Sequence, residues 1–145
     1  MNAKAPDHHD AELVFRAYDL RRESVMRESR AALNQKFWPK SYEEVAAILK
    51  ADHPLNAAWR QVSTYWEMVY GVVKHGIVNP DYFMESNGEG LFFFARVAPW
   101  LEALRRDSSP AAFQNAEWVS KETAVGRRYF ALYSERVTKA LAARP

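Results

Sequence analysis

The chain has 145 residues, 48% hydrophobic and 14% aromatic, with 26% charged and a formal net charge of +2. That length can bury a core unaided, and the composition excludes a disordered chain. The absence of cysteine excludes disulfides, thiolate metal sites and a thiol nucleophile. The near-neutral charge gives no general pull toward nucleic acid.

Residues 1–9 are polar, lack the apolar stretch of a signal peptide and read as a flexible leader. His8-His9-Asp10 with Glu12 falls at this end, where fraying favours an incidental polar segment over a rigid metal site. Apolar-only runs such as Leu91-Phe92-Phe93-Phe94-Ala95 fall far short of the ~20 residues of a membrane span. The expectation is a cytoplasmic chain without membrane contact.

Apolar spacing is helical along the chain, and strand-like alternation is absent. A first helix is predicted from about Asp10 to Leu33, on Leu13, Ala17 and Leu20, with Phe15, Tyr18, Val25 and Met26 broadening the face. Pro39 stops any extension. Ser41-Tyr42-Glu43-Glu44 reads as a capping box opening a short helix that turns Val45, Ile48 and Leu49 inward. Asp52-His53-Pro54-Leu55 starts a third helix that runs to His75, with Gly76 as its left-handed cap. Asn79-Pro80 opens a short fourth helix, and Asn87-Gly88-Glu89-Gly90 is a turn.

A fifth helix is predicted from Leu91 to Arg106, kinked or broken at Pro99. Ser109-Pro110 starts the last helical region, whose early part, Ala111 to Asn115, reads as a separate piece. The rest runs from about Glu117 to Ala142, with Val119, Thr123, Gly126, Phe130, Tyr133 and Val137 as a seam. Together these predict a single all-α domain, an irregular antiparallel helical bundle of about six helices.

The stretch "STYWEMVYG", Ser63 to Gly71, poses the sharpest chemical question. On a helical wheel Trp59, Val62, Trp66, Val69 and Val73 form one apolar stripe, and Tyr65, Met68 and Val72 a second. Glu67 falls on neither. It shares a polar strip with Arg60, Ser63, Thr64 and Lys74, and its aromatic sequence neighbours point elsewhere. Three readings stay open: a boundary carboxylate paired with Arg or Lys, an acid at a pocket mouth beside Tyr70 and Arg96, or an anchor across a subunit interface.

Other chemistries lack their motifs. No Glu-x-x-His pair, His-Glu-x-x-His, phosphate-binding loop or dinucleotide fingerprint is present, so no cofactor and no metal is expected. Arg21-Arg22, Arg105-Arg106 and Arg127-Arg128 each have an acid nearby (Glu23, Asp107, Glu122), and Arg16, Arg27 and Arg30 add charge to the first helix. Solvated helix faces are favoured over a nucleic-acid surface. The aromatic load is the least ordinary feature. Phe37-Trp38, Phe92-Phe93-Phe94, Trp100 and Trp118 exceed what one helix face hides, so a second helix, a dimer contact or a ligand pocket must cover them.

Tyr65-Trp66-Glu67, Val69, Val72-Val73, Gly76-Ile77-Val78-Asn79 and Asp81-Tyr82-Phe83, followed by Trp100-Leu101-Glu102-Ala103-Leu104-Arg105, have a recognisable cadence. Over about Val62 to Arg106 the chain resembles a family of small bacterial all-helical domains of unknown function. The resemblance implies an all-α fold and a bacterial origin, and it implies no activity. Some members of that family look anchored by a preceding membrane span, which this chain is expected to lack.

The functional expectation is a non-enzymatic protein-interaction or regulatory module that self-associates as a homodimer through exposed aromatics. Its ligand or interface candidates are Trp66, Glu67, Tyr70, Phe92, Phe93, Arg96 and Trp100, with no catalytic residue assigned. The alternative is a ligand-binding or enzymatic bundle using Glu67, Tyr70 and Arg96 around an aromatic pocket. Nucleic-acid binding is the third reading.

Overall fold

The computed structural model describes residues 4–145, so Met1 to Ala3 of the expected leader lie outside the described residues. Lys4 onward is placed. Asp7 caps the first helix in a reciprocal capping box with Asp10, and His8 and His9 are already helical.

Among the described residues the chain forms nine α-helices, one 3-10 turn and no strand. They are α1 (His8–Arg21), α2 (Ser24–Lys36), α3 (Tyr42–Ile48), α4 (Asn56–Lys74) and α5 (Pro80–Ser86). Then follow α6 (Glu89–Val97), the turn Ala98–Trp100, α7 (Leu101–Asp107), α8 (Gln114–Glu122) and α9 (Ala124–Ala143). The expected all-helical class is present. The expected count of about six is too low, because three of the four long predicted helices break in two, and the one that ends near His75 stays whole as α4.

Each break has a local cause. In one continuous helix Ala17 and Met26 would lie about half a turn out of phase, yet both are buried. The break at Arg22-Glu23 turns both to the core, and the Glu23 carboxylate accepts from the Met26 amide to start α2. Pro99 breaks α6 from α7 through the 3-10 turn, as its ring requires. Thr123 is extended between α8 and α9. Its hydroxyl donates to the Val119 carbonyl at 2.8 Å and accepts from the Gly126 amide at 2.9 Å, closing one helix and capping the next. Gly126 is required there, because a β-carbon would overlap the Val119 carbonyl oxygen.

Packing is organised around α4, which lies against α2 and α8. Helix α6 packs on α9 and α8, α5 touches α1, α4 and α9, and α3 pairs with α7. The expected first stripe of α4, Trp59, Val62, Trp66, Val69 and Val73, is buried throughout. The expected second stripe is not a stripe: Tyr65 is buried, Val72 is half-buried and Met68 is 57% exposed.

The aromatic surplus is absorbed by the fold. Phe37, Trp59, Phe93 and Phe113 form a continuous ring cluster, with centroid separations of 5.5 to 6.2 Å. Phe94 extends it to Phe130 on α9, and half-buried Phe92 packs between Trp38 and Tyr133. Phe113 reaches its place by a left-handed backbone conformation, φ 57° and ψ 23°.

Candidate functional site

Glu67 has a definite structural partner. Helix α8 starts after Phe113, which offers no side-chain cap. The Asn115 amide donates to Glu67 Oε2 at 3.0 Å, and the Ala116 amide donates to Oε1 at 2.9 Å. The Asn115 side chain returns a bond to the Glu67 carbonyl at 2.9 Å. A carboxylate from α4 therefore caps α8, at the helix end where negative charge is favoured. Burial pushes the Glu67 carboxyl above its ordinary value, against the two amides and against Arg105 and Lys74, which pull it down. Arg105 also braces this turn, donating to the Ala112 carbonyl at 2.9 Å and to Glu117 at 3.2 Å. The cations that act on Glu67 are Arg105 and Lys74; Arg96, named in the pocket reading, is not one of them.

Tyr70 and Arg96 lie elsewhere. Tyr70 is fully buried, stacks near Trp66 and donates to the Asn87 carbonyl at 2.8 Å, and burial raises its phenol well above the usual range. Asn87, also buried, donates to the Phe83 carbonyl and accepts from Arg21 Nη1 at 2.8 Å. Arg96 is 2% exposed and closes the C-terminus of α2. Its Nη1 donates to the Leu33 and Phe37 carbonyls at 3.0 Å, and its Nη2 donates to Asn34 Oδ1 at 2.9 Å. The rings of Trp38, Phe92 and Phe93 surround the guanidinium, and burial lowers its pKa to about 10.

The structure thus brings Trp66 to Tyr70, and Phe92 and Phe93 to Arg96, but it does not join Glu67, Tyr70 and Arg96. The concavity of about 320 Å³ that Glu67 borders includes Trp59, Leu104 and Phe113 and neither of the other two polar groups. Trp100, in the 3-10 turn, is half-buried against the edge of the core. Asp10 is likewise occupied, since its carboxylate accepts from the Asp7 and Asn79 amides.

Exposed large apolar side chains occur on several elements, Val25, Met68 and Ile77 among them, and the most exposed of them lies on α1. Phe15 is 68% exposed and Tyr18 52%, although both were counted toward a core face. Beside them His9, Glu12, Arg16 and Asp19 follow one another at helical spacing and are all exposed. Among the described residues none of these four makes an ion pair. A wheel restricted to α1 carries this signal. A single helix running to Leu33 blurs it, because the two halves have different inward faces.

No curated protein and no solved structure matches the chain significantly. One family model, described as a domain of unknown function (DUF4760), matches residues 6–123. That span contains the resemblance over Val62 to Arg106 and ends at Thr123, the cap of α9. The chain belongs to the DUF4760 family.

Proposed function

We propose that the chain is a non-enzymatic interaction module that self-associates through the outward face of α1. The observation that carries this reading is the order of basic and acidic side chains along that face. His9, Glu12, Arg16 and Asp19 read base, acid, base, acid. An isologous antiparallel pairing of two α1 helices sets His9 opposite the second copy's Asp19 and Glu12 opposite its Arg16. Phe15 lies alongside that seam and supplies the apolar contact. The internal polar groups support a binding role over a catalytic one, because Glu67, Tyr70 and Arg96 each hold a backbone element in place. A chain without cysteine suits a reducing compartment, and we assign it to the cytoplasm.

The test is the mass in solution over a concentration series, by sedimentation equilibrium. The wild type should reach a dimer, and Phe15→Glu should stay monomeric with an unchanged helical spectrum. Glu12→Arg should weaken the dimer, and the double exchange Glu12→Arg with Arg16→Glu should restore it. A wild type that stays monomeric throughout the series, or a double exchange without rescue, overturns the proposal.

A further inference from the structure

We infer that a concavity between the α1–α2 corner and the α5–α6 turn binds a phosphoryl group. Arg21, Arg22, Arg27 and Arg30 line this space of about 350 Å³, with Tyr18 and Ser86 beside them and Glu89 as the single lining acid. The charge count is formally four against one. Glu89 is already engaged, since Oε2 accepts from Arg30 Nε at 3.0 Å and Nη2 at 2.6 Å, and Oε1 accepts weakly from Asn34 at 3.4 Å. Glu23, the acid nearest in sequence, caps α2 through the Met26 amide and is not among the lining residues.

Two of the four guanidiniums are fixed by the fold. Arg21 is held by the Oδ1 of Asn87, which is 1% exposed. The same Asn87 is anchored through Phe83 and through the phenol of Tyr70. Arg30 is held by Glu89. Arg22 rests over the Tyr18 ring, and among the described residues neither Arg22 nor Arg27 has an ion pair or a side-chain hydrogen bond. Two positioned and two uncommitted guanidiniums around one space repel one another. An oxyanion between them removes that repulsion.

The chemistry favours a phosphoryl group over a carboxylate. Guanidinium presents a planar fork of donors that engages two oxygens at once, and a tetrahedral dianion offers oxygens to several forks. It also answers more of the formal excess of three positive charges, where a carboxylate would answer one. Phe15, the apolar contact of the proposed dimer, is not among its lining residues, while Tyr18 borders both surfaces.

The test uses the intact chain in an amide chemical-shift titration with inorganic phosphate, with acetate as the monoanion control. Saturable shifts confined to residues around 18–30 and 86–89 are expected with phosphate and not with acetate. Arg22→Gln and Arg27→Gln, both at exposed positions, should each weaken the phosphate affinity at least about tenfold, the loss of one charge-assisted contact. Phe15→Glu should leave it unchanged, which separates this site from the proposed dimer. Cosedimentation with phosphatidic-acid vesicles, against phosphatidylcholine alone, assigns the group to a lipid headgroup if binding follows and to a soluble phosphate ester if it does not. Non-saturating phosphate shifts, equal response to acetate, or wild-type affinity in both glutamine variants overturns the inference.

Discussion

Replacing Glu67 by alanine tests the central structural assignment. The change removes both acceptors from the start of α8 and leaves the Asn115 and Ala116 amides without their partner. Each hydrogen bond to a charged acceptor contributes roughly 1.5–3 kcal/mol, and loss of a helix cap alone costs about 0.5–2 kcal/mol. Against this stands the penalty of holding a half-buried carboxylate, which the raised pKa of Glu67 records. Water entering the adjoining concavity also satisfies part of the loss. The balance is a destabilisation of about 2–3 kcal/mol, or a fall in Tm of roughly 5–10 °C for a chain of this size.

Urea unfolding followed by far-ultraviolet circular dichroism measures it, with an unchanged slope marking an unchanged native state. Glu67→Gln keeps one acceptor and should cost about half as much. It also exposes the pH dependence. A carboxyl whose folded pKa lies above the ordinary 4.5 favours the folded state when protonated. That contribution is fully present below 4.5 and is lost as pH rises through the folded pKa. The wild type should therefore lose stability relative to Glu67→Gln across that window. Acids such as Asp107 and Glu117, whose pKa values are lowered, slope the other way and cancel in the difference. An alanine variant within about 0.5 kcal/mol of the wild type would show that Glu67 does not cap α8.

Two further substitutions probe the same core. Arg96→Met keeps the apolar stem but leaves the Phe37 carbonyl and Asn34 Oδ1 without a donor and the Leu33 carbonyl with the Phe37 amide alone, so unfolding should become easier by about 3 kcal/mol. Unfolding at wild-type urea concentration would show that α2 needs no such closure. Phe113→Gly relieves a left-handed backbone worth about 1–2 kcal/mol but deletes a buried ring worth about 3–5 kcal/mol. The ring term is the larger, so calorimetry should show a net loss of about 2–3 kcal/mol, and a stabilised variant would refute the packing account of that conformation.

Several features of the fold were legible because they depend on near neighbours. Ser41 and Asn79 cap α3 and α5 as their spacing predicts, Pro99 breaks the chain where its ring must, and the Trp66 stripe of α4 is buried. The break after Arg21 was hidden because Leu20, Val25 and Met26 keep the apolar density high enough to mimic one continuous helix. Glu67 lies off the buried Trp66 stripe as its wheel position predicts, but its partners are backbone amides far along the chain, and an amide has no signature in sequence. The same holds for Arg96, whose acceptors are carbonyls at the end of α2.

The aromatics show why density is a poor guide to an interface. A run such as Phe92-Phe93-Phe94 covers about half a helix circumference, too much for one packing partner. Helix α6 has several: α8 and α9 lie directly against it, and Trp38 reaches it from the segment after α2. Short helices in a many-helix bundle are touched from several sides, so a wide apolar arc marks burial depth and not a vacant surface. The residue that stands out is then Phe15, the most exposed of the three large apolar residues, with Tyr18 and Leu20, that α1 turns outward, on a helix with a well-formed inward face at Val14 and Ala17. Nothing in the packing of α1 requires a phenyl ring facing water. A ring at that position, beside polar groups whose order is complementary to itself under a two-fold axis, supports the proposed interaction reading more strongly than the aromatic-rich segments do.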